Sequence, residues 1–154
     1  MLTISEIKIN EDDYAILKEL QKDGRMSYAD ISRTTGIPDS TIYSKIQRLI
    51  SIGVIKNFIP LLDEVKLGFT IIAIIGVETG AKLYKKVAEE LCKIREVTEV
   101  YGTTAEYDLM IKIIARSRDD LSISLNKIRT IEGIDDIFVS SVLEIFKNEK
   151  TTPI

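Results

Sequence analysis

Apolar side chains recur at intervals of three and four residues through the first third of the chain, which places them on one face of an α-helix. The first run predicts a helix over residues 11–23, opened by Asn10 as N-cap and stopped by Gly24. A second, shorter run predicts a helix from Ser27, as a capping residue, to Thr35. The chain therefore begins with two helices joined by a short turn.

A third helix follows a break at residues 36–38, where the sequence is Gly-Ile-Pro. Asp39 opens this helix, Gly53 closes it, and its apolar stripe consists of Ile42, Ile46 and Leu49. Three helices with a tight glycine turn between the second and the third predict a helix-turn-helix domain over residues 1–53.

After Gly53 the pattern becomes extended, which predicts a hinge strand over residues 54–59 and a linker to Gly68. The elements predicted beyond it are strand 69–77, helix 81–94, strand 98–103, strand 107–115, helix 118–131 and strand 134–146. This βαββαβ order is the ferredoxin-like arrangement. The sequence thus predicts an α+β chain with three parts: residues 1–53, a connection over 54–68, and a second domain over 69–154.

Two of the predicted strands, FTIIAIIGV and LMIKIIA, are apolar at almost every position and do not alternate with polar residues. Such strands are typical of a sheet that is buried on both faces. Two helices cover only one face of a four-stranded sheet, so the other face needs a partner. A second copy of the chain satisfies this need, and we therefore expect a symmetric dimer.

The composition fits a globular protein, with 45% hydrophobic and 29% charged residues among 154. No apolar run approaches the roughly 20 residues of a membrane span, and acids occupy the place of a signal peptide's apolar stretch. We therefore expect a cytoplasmic protein without a membrane partner. A single cysteine, Cys92, and the absence of histidine argue against a disulfide, a Cys/His zinc site and ordinary hydrolase chemistry. The prediction is a non-enzyme without catalytic residues, metal or cofactor.

The formal net charge of −3 argues at first against nucleic acid as a partner, because DNA affinity depends on neutralising phosphates. The charge is unevenly distributed, however. Residues 1–60 carry eight basic and eight acidic side chains, and residues 40–56 contain Lys45, Arg48 and Lys56 without any acid. The third predicted helix is therefore locally basic.

The third helix has a polar face opposite its apolar stripe, formed by small and forked side chains that fit a DNA major groove. We expect five residues near the bases: Ser40, Thr41, Tyr43, Ser44 and Gln47. Lys45 and Arg48 lie farther along and are expected at phosphates, although Arg48 could instead pair with guanine. A solvated polar face without DNA is the alternative interpretation.

The segments I9-N10-x-x-D13-x-x-I16-L17 and LQKDGRMSYADISRTTGIPDSTIYSKIQRLISIGVIKNF resemble the N-terminal domain of the Lrp/AsnC, or feast/famine, transcription regulators. The later segment EYDLMIKI resembles the centre of that family's dimerisation domain. The resemblance implies a winged helix-turn-helix domain, a hinge strand and a ferredoxin-like (RAM/ACT-like) domain. It also implies binding to pseudo-palindromic double-stranded DNA by homodimers that associate into tetramers or octamers.

The resemblance further implies that an amino acid or a related metabolite binds at the turn between the second and third strands of the C-terminal domain. In this chain the turn consists of Thr103, Thr104, Ala105, Glu106, Tyr107 and Asp108. The family usually has a glycine where Ala105 stands, and alanine adopts a positive φ only at a cost. A different ligand, or none, is the alternative at this turn.

Two other functions are alternatives to a DNA-binding regulator. One is a metabolite-sensing interaction module whose helical domain contacts protein and not DNA. The other is an enzyme like the siroheme decarboxylases, which resemble the same two-domain plan but look to depend on histidines that this chain lacks.

Overall fold

A computed structural model describes residues 8–80, 82–104 and 106–154. The chain divides into two compact units, one containing residues 8–61 together with Glu149–Ile154, the other Leu62–Asn148. The C-terminal tail reaches the first unit through the Thr152 N–H, which donates a hydrogen bond to Gln21 Oε1 at 2.6 Å. The predicted domain bounds, which place this tail with the second domain, stay a prediction.

Three helices form the first unit: α1 (Glu11–Lys22), α2 (Tyr28–Thr35) and α3 (Asp39–Ser51). The predicted helices are thus confirmed to within two residues at each end. Local capping explains their starts, since Asn10 accepts from the backbone of Asp13 and Ser27 accepts from the backbone of Asp30. Their shared core consists of Ile16, Ile31, Ile37, Ile42 and Ile46.

The predicted hinge strand over residues 54–59 is not formed in the single chain. The N–H groups of Val54 and Ile55 both donate to the Leu49 carbonyl, at 2.9 and 3.0 Å, and so close the end of α3. The residues that follow are exposed and are assigned to no strand. An extended segment becomes a strand only when another strand receives its hydrogen bonds, and none does so within the described residues.

The second unit has the predicted βαββαβ order. Its elements are β1 (Ile71–Thr79), α4 (Tyr84–Cys92), β2 (Val97–Gly102), β3 (Leu109–Ala115), α5 (Arg118–Arg129) and β4 (Ile134–Ser141). The strands form one antiparallel sheet in the order β2-β3-β1-β4. The last strand is five residues shorter than predicted, because the pairing of β4 with β1 ends at Ala73 and Ser141, close to the start of β1.

Both helices pack on one face of this sheet, and the core lies between the helices and the sheet. Its buried members include Ala73, Ile75 and Val77 of β1, together with residues of the helices and of β3: Val87, Leu91, Leu109, Ile111, Ile113 and Ile128. The other sheet face, which we call the open face, carries Ile72, Ile74, Tyr101, Met110 and Phe138. These side chains are half-buried or exposed in the single chain.

Candidate DNA-binding face and effector turn

The third helix presents a polar face because its opposite side is completely buried. Ile42, Ile46 and Leu49 are at most 3% exposed, so the rotation of α3 about its axis is set by the core. The side chains that this rotation leaves outside are Ser40, Tyr43, Ser44 and Gln47, which are exposed, and Thr41, which is half-buried. The structure therefore brings together on one surface the five residues predicted to lie near bases.

Local contacts organise this outer face. The Tyr43 ring meets the Tyr28 ring of α2 edge to face, with 5.8 Å between centroids. The Ser44 hydroxyl donates to the carbonyl of Ser40 at 2.9 Å and to that of Thr41 at 3.1 Å. Its oxygen lone pairs remain able to accept a hydrogen bond from a base or a water molecule.

Lys45 and Arg48 lie along one edge of this surface, and both reach across to the start of α1. Lys45 Nζ lies 3.1 Å from Asp13 Oδ1, and Arg48 Nη1 lies 3.3 Å from Asp13 Oδ2. The Lys45 ammonium also donates to Asn10 Oδ1 at 3.0 Å. Their assignment to DNA stays a prediction, and a helical projection does not show that a neighbouring element supplies a counter-charge for both.

Asp13 is the buried centre of this network, with only 1% of its surface exposed. Burial by itself raises the pKa of its carboxyl group. The hydrogen bond from the Asn10 backbone and the two cations outweigh that effect, so the pKa of Asp13 lies below its usual value. The carboxylate is therefore ionised at neutral pH and balances charge on α3. From the sequence, Asp13 was placed in the first turn of the first helix and in a family motif, but its pairing with two cations of α3 was not foreseen.

Beside the outer face of α3 lies an open, mostly apolar cavity of about 460 Å³. Gln47 of the outer face lines it, with Ile50 from the same helix and Phe58 from the segment after α3. The Gln47 side chain therefore borders both the polar face and an apolar surface.

The predicted effector turn is held by hydrogen bonds around the ends of β2 and β3. The Thr103 N–H donates to the Asp108 carbonyl at 2.9 Å, and the Thr103 hydroxyl donates to the Tyr107 carbonyl. Thr104 and Glu106 are exposed, while Ala105 lies outside the described residues. The proposal that an alanine at this position changes effector binding therefore stays a prediction.

Asp108 faces the end of β1, where its Oδ2 accepts a hydrogen bond from the Thr79 N–H at 2.8 Å. Thr79 is 7% exposed, and its hydroxyl oxygen is buried without a hydrogen-bond partner in the described part of the chain. A buried hydroxyl without a partner is uncommon. Sequence reasoning missed Thr79, because a threonine at the end of an apolar strand carries no distinctive signal.

Tyr107 leaves the turn and packs on the open face of the sheet. Its ring stacks on Phe138 at a centroid distance of 5.9 Å and covers Gly76, where an added Cβ would lie 2.5 Å from the ring. Burial raises the pKa of the Tyr107 hydroxyl, and the carboxylates of Glu106, Glu78 and Asp136 add to the effect. The structure thus separates Tyr107 from Asp108, although the two are adjacent in sequence.

A trihelical unit that exposes the polar face of its third helix, in one chain with a βαββαβ unit, defines a two-domain helix-turn-helix DNA-binding protein. Comparison with known protein families supports this class for both parts of the chain. Residues 9–56 match the winged helix-turn-helix DNA-binding family, and residues 72–152 match the Lrp/AsnC ligand binding domain. The chain belongs to the Lrp/AsnC family of transcription regulators.

Individual relatives are similar along nearly the whole chain. The HTH-type transcriptional regulator FL11 of Pyrococcus furiosus is 36% identical over 146 residues, which cover 95% of this chain and 97% of the relative. The structure of AsnC from E. coli has a TM-score of 0.88 at 29% identity and covers 94% of this chain and 99% of its own. A feast or famine regulatory protein from M. tuberculosis, complexed with L-methionine, shares the fold, with a TM-score of 0.87 at 20% identity and coverage of 94% and 99%.

These likenesses confirm the family, the fold class and the role in transcription that the sequence predicted. The protein is a DNA-binding transcription regulator, and its family is not a family of enzymes. Among the described residues, no helix is both long enough and apolar enough to cross a membrane.

Proposed function

We propose that this regulator reads its DNA site with the outer face of α3, using Ser40, Thr41, Tyr43, Ser44 and Gln47. The observation that carries the proposal is the burial of Ile42, Ile46 and Leu49, which turns the polar face of α3 outward, where a major groove can receive it. Lys45 and Arg48 do not belong to this base-reading set, because both contact Asp13.

We further propose that the protein acts in the cytoplasm as a homodimer that buries the open face of the sheet and assembles further into tetramers or octamers. Two apolar residues of that face, Phe138 and Tyr101, are 56% and 55% exposed in the single chain. A two-fold dimer carries two copies of α3 and so fits a pseudo-palindromic site with two half-sites.

The effector proposed for this assembly is an amino acid or a related metabolite, bound near Thr103 and Asp108. Two features support this location. The buried Thr79 hydroxyl has no hydrogen-bond partner among the residues that the structure describes, and Asp108 beside it offers a carboxylate that can accept hydrogen bonds from an ammonium group. Structures similar in fold, from Neisseria meningitidis and M. tuberculosis, are complexes with L-methionine.

DNA reading by α3 is tested with the double variant Ser44→Glu, Gln47→Glu, which places two negative charges on the proposed face. We expect affinity for the protein's own upstream region to fall at least about tenfold, since one good base contact is worth roughly 1–3 kcal/mol. Fluorescence anisotropy with a labelled duplex at fixed salt gives the affinity.

A matched control adds the same charges elsewhere: Ser122→Glu, Asn126→Glu changes two exposed positions of α5 in the other unit. This control should bind the duplex within about twofold of the unmodified protein, because surface changes away from the interface have small effects. Normal binding by the Ser44→Glu, Gln47→Glu variant would show that α3 does not read DNA through this face.

A further inference from the structure

Asp13 gathers two cations that the sequence places on the DNA-reading helix. Lys45 and Arg48 are three residues apart, so they project from the same side of α3 toward the first turn of α1. Both oxygens of Asp13 are used, one by each cation, at 3.1 and 3.3 Å. The contacts span 32 and 35 residues of sequence and hold α3 to α1.

Each of the two cations makes a further contact near the start of α1. The Lys45 side chain is only 16% exposed, and its ammonium also lies 3.6 Å from a carboxylate oxygen of Asp12. The guanidinium of Arg48, whose side chain is 42% exposed, donates to the Lys8 carbonyl. Lys45 is thus enclosed by acceptors of the same unit, and Arg48 is held by two of them.

Asp13 is itself held in place by the capping box of α1. The Asn10 N–H donates to Asp13 Oδ2 at 3.0 Å, and the Asp13 N–H donates to Asn10 Oδ1 at 3.0 Å. The carboxylate cannot follow a departing cation without breaking the cap. Moving Lys45 or Arg48 to a phosphate would therefore leave a buried charge with fewer partners, which is unfavourable.

We infer that Asp13 is a positioning residue that withholds Lys45 and Arg48 from DNA, so that α3 meets the groove with an uncharged face and its two cations act only by orienting the helix. The inference rests on the proposed DNA-reading role of α3. It assigns the phosphate contacts of the protein to cations outside α3.

The salt dependence of DNA binding distinguishes a withheld cation from one on a phosphate. Each phosphate that a cation neutralises contributes about 0.9 to the slope of log K against log salt on duplex DNA. We expect Lys45→Gln and Arg48→Gln each to leave this slope unchanged on a random-sequence duplex, although both lower the melting temperature. Ser44→Lys, which adds a cation to the outer face, should steepen the slope by about 0.9 per protomer and serves as the positive control.

Asp13→Asn gives the converse test, because asparagine keeps a capping acceptor but carries no charge. Release of the cations should strengthen non-specific binding and steepen the slope by about 0.9 for each cation that reaches a phosphate. Adding Lys45→Gln and Arg48→Gln to Asp13→Asn should restore the slope of the unmodified protein. Circular dichroism shows at which temperatures each variant is folded. Lys45→Gln should lower stability least, because it leaves Arg48 paired with Asp13.

The salt slopes of these variants either support or overturn the inference about Lys45 and Arg48. A slope that falls by about 0.9 in Lys45→Gln or Arg48→Gln would place that cation on a phosphate and overturn the inference, as would an unchanged slope in Asp13→Asn. If the unmodified protein binds no DNA at all, the proposed function fails, and the inference fails with it.

Discussion

Single residues in this protein owe their roles to partners that lie far away in the sequence. Lys45 resembles a phosphate-binding residue when only its helix is considered, yet its ammonium lies between Asp13 and Asn10 of another helix. Asp108 resembles a surface acid of a loop, yet it holds the end of β1 through the Thr79 N–H. The sequence shows the charge and hydrogen-bonding groups of each side chain, but it does not show which residue each one contacts.

The pair of Asp108 and Thr79 leads to a prediction about the effector. If an amino acid binds here, at least one of the twenty L-amino acids should raise the melting temperature of the protein. A ligand at 100 times its Kd adds roughly 2.7 kcal/mol to the free energy of unfolding. Asp108→Asn should abolish this stabilisation, because an amide does not provide the charge that an ammonium group prefers. Thermal-shift assays at millimolar amino acid provide the measurement.

Asp135→Asn is the matched control, since Asp135 is an exposed acid of the same unit on β4. It should keep the full ligand-induced shift. The proposed location would be wrong if Asp108→Asn responded like the unmodified protein, and the effector proposal itself would be wrong if no amino acid stabilised it.

At the scale of elements, the helices followed the sequence closely because their limits are set locally. The Ser27 and Asn10 caps and the left-handed Gly36, with a φ of 75°, lie within a few residues of the helix ends that they define. Strands were less predictable. The segment over residues 54–59 has the composition of a strand, but no strand of the described residues lies beside it. The pairing of β4 with β1 ends at Ser141 and Ala73, five residues before the predicted end of β4.

The turn between α5 and β4 depends on a glycine. Gly133 has a φ of 99°, and a Cβ there would lie 2.8 Å from Leu83 Cβ. We expect Gly133→Ala to lower the free energy of unfolding by more than about 1–2 kcal/mol, which is the cost of a left-handed alanine alone. Urea denaturation followed by circular dichroism measures this change.

Gly80→Ala provides the comparison, because a Cβ at Gly80 meets no atom within 4 Å and the residue has no left-handed φ. Its stability should change by less than about 0.5 kcal/mol. Equal stability of the two variants would show that the turn tolerates a side chain at Gly133.

At the scale of the whole molecule, the open face of the sheet is an apolar surface that the second unit leaves exposed to water. Its centre consists of Met110, Gly76 and Phe138, which are aligned across β3, β1 and β4, with the Tyr107 ring over the glycine. A partner that covers this apolar surface removes it from water, which lowers the free energy. The distribution of apolar residues in β1 and β3 already predicted such a partner.

Replacing Phe138 by lysine should therefore dissociate the dimer without unfolding the protomer. The side chain is 56% exposed in the single chain, so a protomer accommodates lysine, whereas a dimer interface would have to bury its charge. Sedimentation equilibrium should show two or more chains for the unmodified protein and a shift toward one chain for Phe138→Lys.

Ile123→Lys is the control, since Ile123 of α5 is 55% exposed and lies away from the open face. This variant should sediment like the unmodified protein. A Phe138→Lys variant that kept its full mass at micromolar concentration would show that the subunits associate through another surface.

The sequence by itself determined the order and type of the elements, the buried stripe of α3 and the family, because periodicity, caps and glycine turns act over a few residues. Only the tertiary structure decided which charges meet. It paired Lys45 and Arg48 with Asp13 and directed Tyr107 to the open face and Asp108 to Thr79. It also left residues 54–59 without a strand partner in the part of the chain that the structure describes. The physical reason is distance along the chain. An ion pair or a strand ladder forms between groups that folding brings together, and the residues around one group give no indication of which distant group will be its partner.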